Sequence, residues 1–174
     1  MIEPWIKLHE TILETGHRKL LRRVFRMPDG EESVYDIKVE PQVVCILALT
    51  PEQQVILACQ FRPGPEQILL ELPGGCIEAG ETPRQAAERE LLEETGYRGT
   101  IQFVSTSLDD AYTTLVRLNF VATDCQKLQE PQTGAGEFTA VVSMPIADFR
   151  QHLRRGQLTD IETGYLGLDF LGLL

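Results

Sequence analysis

The sequence predicts an α/β fold, a mixed sheet with helices on its faces, preceded by an extension of antiparallel strands. Three observations predict it. Short apolar stretches bounded by turn residues recur along the chain and have the length of strands. Helix signals are confined to residues 83–95, 145–155 and 159–173, so one helix interrupts the strands and two follow them. At 174 residues, 43% hydrophobic and 24% charged, the chain is long enough for one domain, or one domain and a small appendage, around a sizeable core. Strands and helices in this order pack as layers about one sheet.

The first strands lie at 5–13, 19–27 and 34–39, separated by turn signals at Thr15-Gly16 and Pro28-Asp29-Gly30. A minimal core can begin near Pro41, which divides the chain into an extension, 1–40, and a domain, 41–174. Pairing with another copy of the chain, or covering a substrate, are the natural uses of such an extension. Trp5 reads as a packing residue. From Pro41 onward, strands are expected at 43–49 and 54–61, joined by Thr50-Pro51-Glu52, and at 68–72, which leads into Pro73-Gly74-Gly75. Beyond the first helix, strands are expected at 100–106, 114–123 and 138–143, with a polar loop at 124–136. Pro145 opens the second helix, and three glycines weaken the helix signal of the last segment.

Charge and composition exclude several classes of function. A net charge of -10 argues against a nucleic-acid-binding surface, which needs clustered lysine and arginine. The longest apolar run, 43–49, is far too short to span a membrane, and the first residues lack a secretory pattern, so a cytoplasmic protein is expected. Cys45, Cys59, Cys76 and Cys125 form no CxxC pair and read as small hydrophobes in a reducing compartment. His9, His17 and His152 show no metal-ligand spacing and read as surface residues.

The chemistry is concentrated in the first helix. Thr82 can cap it, Pro83 suits its first turn, Gln85 completes a capping-box spacing, and Gly96 can close it in a left-handed conformation. Glu90, Glu93 and Glu94 then share one face and repel one another unless a cation sits among them. Their hard oxygens suit magnesium or manganese rather than zinc, and such ions couple carboxylates to substrate phosphates. Ala86 and Ala87 are expected beside the carboxylates, leaving room there, while Leu91 packs inward. Arg89, four residues before Glu93, can orient that glutamate or offset part of the charge. The alternative is a solvated acidic helix.

The surroundings favour the metal. Gly75, five residues, Glu81, seven residues, then Arg89-Glu90-Leu91, Glu93-Glu94 and Gly96-Tyr97 resemble, without a gap, the Nudix box. Seven fixed positions at set spacings make a chance match in a chain of this length rare. The flanking Gln60-Phe61-Arg62 and Glu71-Leu72-Pro73-Gly74-Gly75 are similar to the ADP-ribose and nucleoside-diphosphate-sugar pyrophosphatase branch of the Nudix hydrolases.

That resemblance implies an α/β/α sandwich, a homodimer, and hydrolysis of a small nucleoside diphosphate substrate to a nucleoside monophosphate and a sugar phosphate. It implies magnesium, or manganese, on Glu90, Glu93 and Glu94 with the Gly74 carbonyl. Glu93, Glu94, Arg89 and Glu137 take catalytic roles, and Arg62, Glu71 and Tyr112 take substrate-binding ones. Glu81 supports the loop or the charge network. The branch usually carries a proline about fifteen residues beyond the box, where this chain has Ser107-Leu108-Asp109-Asp110-Ala111-Tyr112-Thr113. The tyrosine there is similar to that of diadenosine-polyphosphate hydrolases. Hydrolysis of a nucleoside triphosphate or dinucleoside polyphosphate, and nucleotide sensing without turnover, therefore stand as alternatives.

Overall fold

The computed structural model of the chain describes residues 2–16, 18–132 and 139–174. It divides into two compact units, Met1–Pro41 with Leu108–Val116, and Gln42–Ser107 with Arg117–Leu174.

In the first unit, β1 (Ile6–Thr15), β2 (Arg18–Arg26) and β3 (Glu32–Val39) form an antiparallel sheet in sequential order. The β2–β3 connection closes on Gly30, whose φ of 89° is the left-handed backbone that glycine adopts without strain. The rings of Trp5, Phe25 and Tyr35 meet at centroid distances of 5.7, 6.1 and 6.2 Å, so Trp5 is a packing residue as expected. Segment 108–116 is tied to β3: Lys38 N donates to Tyr112 O at 2.8 Å, and Thr114 N donates to Lys38 O at 2.9 Å. Thr114 Oγ1 also exchanges hydrogen bonds with the Glu40 backbone, at 2.9 and 3.0 Å. These bonds hold residues 113–114 outside the strand expected to begin there, and that strand starts at Val116.

The second unit contains β4 (Val43–Leu49), β5 (Gln54–Arg62), β6 (Gln67–Glu71), β7 (Gly74–Cys76), α1 (Pro83–Thr95), β8 (Tyr97–Leu108), β9 (Val116–Lys127), β10 (Thr139–Pro145), α2 (Ile146–Arg155) and α3 (Ile161–Phe170). The sheet runs β10-β5-β4-β9-β8, with β6 paired to β5 and β7 to β4. It is mixed, since β4 is parallel to β9 and antiparallel to β5 and β7.

Strand β4 is apolar throughout because both its faces are covered. Val44, Ile46 and Ala48 join Ala86, Ala87, Leu91, Ile101 and Phe120 in one core, under α1. Cys45, Leu47 and Leu49 join Phe149, Leu153 and Leu168 in the other, under α2 and α3. The alternation along one strand therefore builds the expected α/β/α layers. Each fully buried Leu or Ile contributes about 1.5–3 kcal/mol, which fixes the face that each helix turns to the sheet.

Two glycines of α3 are where that helix comes closest to its neighbours. A Cβ on Gly164 would stand 2.4 Å from Leu153 Cδ2, and one on Gly167 would stand 2.7 Å from Leu47 Cδ2. Two of the three glycines that weaken the helix signal are thus the ones that let α3 pack, while Gly172 lies beyond the helix end.

Candidate active site

The site begins at a fork in the sheet. Strands β4 and β5 pair directly only at Ala48↔Ile56 and Leu49↔Val55. Beyond that point β6 continues the pairing of β5, and β7 that of β4. The chain crosses between them at Leu72-Pro73, where proline has no N–H to leave unpaired and the Pro73 carbonyl accepts from Ile46 N at 2.9 Å.

The next two residues make close approaches on opposite sides. A Cβ on Gly74 would stand 2.3 Å from the Val44 carbonyl oxygen, and one on Gly75 would stand 2.3 Å from Glu90 Oε1. Glycine at 75 therefore lets strand backbone lie directly against a carboxylate of α1.

Helix α1 starts and stops as its caps dictate. Thr82 Oγ1 accepts from Gln85 N at 3.3 Å, Gln85 Oε1 accepts from Thr82 N at 2.9 Å, and Gly96 has φ 77°. Ala86 and Ala87, expected beside the carboxylates, are instead fully buried in the core under α1. Their small side chains bring the helix close to β4 rather than clearing space around the acids.

Arg89 organises the acidic face. Its Nε donates to Glu81 Oε1 at 2.7 Å and its Nη2 to Glu81 Oε2 at 3.0 Å. Its Nη1 reaches both Glu90 Oε1 at 2.8 Å and Glu93 Oε2 at 3.0 Å, and Nη2 also meets the Cys76 carbonyl at 2.9 Å. Hydrogen bonding to Glu81, then to Glu90 and Glu93, raises the Arg89 pKa further above its ordinary value. Glu81 in turn is held below the usual carboxylate range by Arg89 and by the Glu78 backbone. Glu94 turns the other way, and its Oε2 accepts from Gly74 N at 2.9 Å.

Spacing along the helix anticipates the Arg89–Glu93 contact but not the larger network. Glu81 lies before the helix begins, so no i,i+4 rule reaches it. Among the described residues no three His, Cys, Asp or Glu side chains stand together at metal-ligand spacing. Arg89 lies between Glu90 and Glu93, and Glu94 is on the Gly74 amide. The donor set itself, carboxylate oxygens against the backbone cradle at Gly74-Gly75, fits a hard divalent cation.

A second cluster forms around Glu71, which is 0% exposed. Its Oε2 accepts from Arg62 Nε and from Gln60 Nε2 at 3.2 Å. Its Oε1 accepts from the Thr159 hydroxyl and from Thr159 N at 3.2 Å. Both oxygens of Glu71, expected to contact substrate, are occupied in this structure, and none of its surface reaches solvent. What Glu71 does is hold Arg62, whose side chain is 41% exposed and able to meet an anion.

Beside it, Asp160 accepts from Leu72 N at 2.9 Å and from Cys45 Sγ at 3.4 Å. Burial, and next the charge of Glu71, push its carboxyl up to about 7. Thr159 and Asp160 carry no local sequence signal, since each is placed by partners distant in the chain.

Tyr112 lies in the first unit, stacked on Tyr35 at 6.1 Å with 55% of its surface exposed. Glu137 and His17 lie outside the described residues. His152, expected at the surface, is half-buried with Nε2 2.7 Å from the Leu70 carbonyl. Cys45, Cys59 and Cys125 are free thiols, and burial pushes the Cys45 and Cys125 thiols up, the latter to about 11. Cys125 packs as a small apolar group, while Cys45 both packs in the core and donates from its Sγ to Asp160. Among the described residues no helix is long and apolar enough to cross a membrane.

Comparison with known proteins bears on the same elements. A NUDIX domain model matches residues 39–162. The ADP-sugar pyrophosphatase of Mus musculus is 40% identical over 159 residues, covering 86% of this chain and 71% of that one. The ADP-ribose pyrophosphatase of Bacillus subtilis (strain 168) is 32% identical over 146 residues, 80% of this chain and 77% of that one. The crystal structure of an ADP compounds hydrolase matches with a TM-score of 0.81 at 20% identity, over 100% of this chain and 99% of that one, which shows a common fold. The matched span takes in β7, α1 and the whole Arg89 network, and on it the chain belongs to the Nudix family as a hydrolase, a class that generally uses divalent metal ions.

Proposed function

We propose that this protein is a metal-dependent pyrophosphohydrolase that cleaves ADP-ribose or a related nucleoside diphosphate sugar to a nucleoside monophosphate and a sugar phosphate. The observation that carries it is the convergence of Glu81, Glu90 and Glu93 on Arg89, with Glu94 on the Gly74 backbone. The names of the relatives in Mus musculus and Bacillus subtilis, an ADP-sugar and an ADP-ribose pyrophosphatase, support the substrate class.

In this reading Glu90, Glu93, Glu94 and the Gly74 carbonyl hold magnesium, with manganese as a substitute. Such an ion neutralises charge on the diphosphate and lowers the pKa of a bound water. Arg89 sets the direction of the Glu90 and Glu93 carboxylates, and Glu81 fixes Arg89. Arg62 offers its guanidinium fork to a substrate phosphate while Glu71 holds its Nε. Glu137 adds a carboxylate from outside the helix, and Tyr112 meets the nucleoside or sugar. Residues 1–40 form an extension to the hydrolase domain of 41–174 and pair two copies into a homodimer, and the free thiols of Cys45, Cys59 and Cys125 suit the cytoplasm.

The reading is tested by incubating the purified protein with ADP-ribose, ADP-glucose, GDP-mannose, NADH and diadenosine polyphosphates, with and without magnesium, and identifying the products. Failure to cleave any diphosphate in a metal-dependent way would sink it. Tyr112, in place of the expected proline region, favours diadenosine polyphosphates as the second reading, and preference for them in the same panel would establish that one.

A further inference from the structure

Three consecutive residues leading into the site are held from the opposite layer of the sandwich. The Leu70 carbonyl meets His152 of α2 at 2.7 Å, the Glu71 carboxylate takes two hydrogen bonds from Thr159, and Leu72 N donates to Asp160 Oδ2 at 2.9 Å. On the other side Ile46 N holds the Pro73 carbonyl at 2.9 Å, and Gly74 pairs with Cys45 in the β4–β7 ladder. The backbone from 70 to 74 is thus clamped on both sides immediately before Gly74 N donates to Glu94.

Asp160 is the unexpected member of this clamp. It occupies the N-cap position of α3, where an aspartate ordinarily accepts a hydrogen bond from its own helix, yet its side chain makes no such bond. The carboxylate turns instead to Leu72 N and Cys45 Sγ. It is only 5% exposed, its Oδ1 is buried without a hydrogen-bond partner, and its neighbour Glu71 is also acidic. A buried carboxylate beside another is a costly way to accept one N–H, since desolvation and like charge both oppose it. Helix capping does not account for it.

We propose that Asp160 is a positioning residue for the reaction: by holding Leu72 N it fixes the Leu72-Pro73-Gly74 backbone, and with it the Gly74 unit that meets Glu94. The inference rests on the reading above, in which that backbone and Glu94 belong to one metal-binding set. Asp160 touches no reacting atom and acts through the three residues Leu72-Pro73-Gly74. Because Arg62 is held separately by Glu71, loss of Asp160 affects metal affinity and kcat more than KM.

Manganese binding without substrate, followed by electron paramagnetic resonance of the free ion, is measured alongside kcat, KM and thermal unfolding for the parent, Asp160→Ala, Asp160→Ser and Asp160→Asn. Alanine removes the acceptor and serine is too short to reach Leu72 N. Both are expected to weaken manganese binding and lower kcat by about tenfold or more, with KM within about threefold of the parent. Asparagine keeps an acceptor oxygen and restores both. Should Asp160→Ala fail to fold, the contrast between serine and asparagine decides. Folded alanine or serine variants that bind manganese and turn over like the parent, with only a lowered unfolding temperature, overturn the inference and leave the functional reading intact. A parent chain that binds no manganese overturns both.

Discussion

Arg89 and Glu81 form a two-point ion pair, Nε to Oε1 at 2.7 Å and Nη2 to Oε2 at 3.0 Å, that ties the segment before α1 to the acidic face of the helix. The pair leaves Nη1 pointing at Glu90 and Glu93 together. A guanidinium can do this because its five donors lie in one rigid fork, whereas a lysine ammonium is a single point on a flexible stem. Arg89→Lys is therefore expected to lower turnover of a nucleoside diphosphate sugar by about 10- to 100-fold at saturating magnesium, with little change in unfolding temperature. Glu81→Gln, which keeps one acceptor for Arg89, loses less. Steady-state kinetics on the two variants check the order, and a lysine variant as active as the parent would remove Arg89 from its organising role.

The adjacent glycines separate catalysis from folding. An alanine Cβ at Gly75 would meet the Glu90 carboxylate, the far end of a flexible side chain that can swing aside. Gly75→Ala is expected to fold while turnover falls about tenfold, because Glu90 leaves its place beside Arg89. At Gly74 the obstacle is the Val44 carbonyl at 2.3 Å and the Cys45 Cα at 3.0 Å, which are backbone and cannot yield cheaply. Gly74→Ala is expected to break the β4–β7 pairing and to cost about 1–3 kcal/mol of stability. Urea unfolding monitored by circular dichroism distinguishes the two, and equal stability losses would contradict the contrast.

How much of this was legible in the sequence depends on the distance over which each signal acts. The limits of α1, Pro83–Thr95, follow from Thr82, Gln85 and Gly96, because capping is decided within one turn. Strand β4 is equally plain, since an apolar run between turn residues needs no partner to be recognised. Strand β7 is not. Its three residues, Gly74–Cys76, look like a glycine loop, and only the fork between β4 and β5 makes them a strand. The acids of α1 are visible as a cluster, yet Glu81 joins them through an arginine fork that no periodicity describes. Glu71 is visible as part of a motif, but its burial depends on Thr159, 88 positions away.

The cap of α1 offers a control on stability alone. Thr82 and Gln85 satisfy the first backbone donors of a helix whose acidic residues begin two turns later. Thr82→Ala is expected to cost about 1 kcal/mol of unfolding free energy while kcat changes less than about twofold. Chemical denaturation with parallel kinetics measures both. A large fall in kcat without loss of stability would mean that the N-terminus of α1 takes part in the chemistry.

The buried carboxyl of Asp160 gives the protein a pH dependence whose sign follows from its surroundings. Burial first, and the charge of Glu71 second, raise it to about 7, above the ~3.9 of an unfolded aspartate. The folded chain therefore holds this proton more tightly, and the resulting stability is complete below pH ~4 and lost as pH rises through about 7. The full loss is on the order of 4 kcal/mol. Asp160→Asn does not titrate, so its stability relative to the parent is expected to increase between pH 5 and pH 8, read by urea unfolding at each pH. Glu71→Gln removes the second cause and leaves the first. That variant should shift the transition to lower pH without abolishing it, whereas a parent-minus-Asn difference that is flat with pH would show that Asp160 remains ionised in the folded chain.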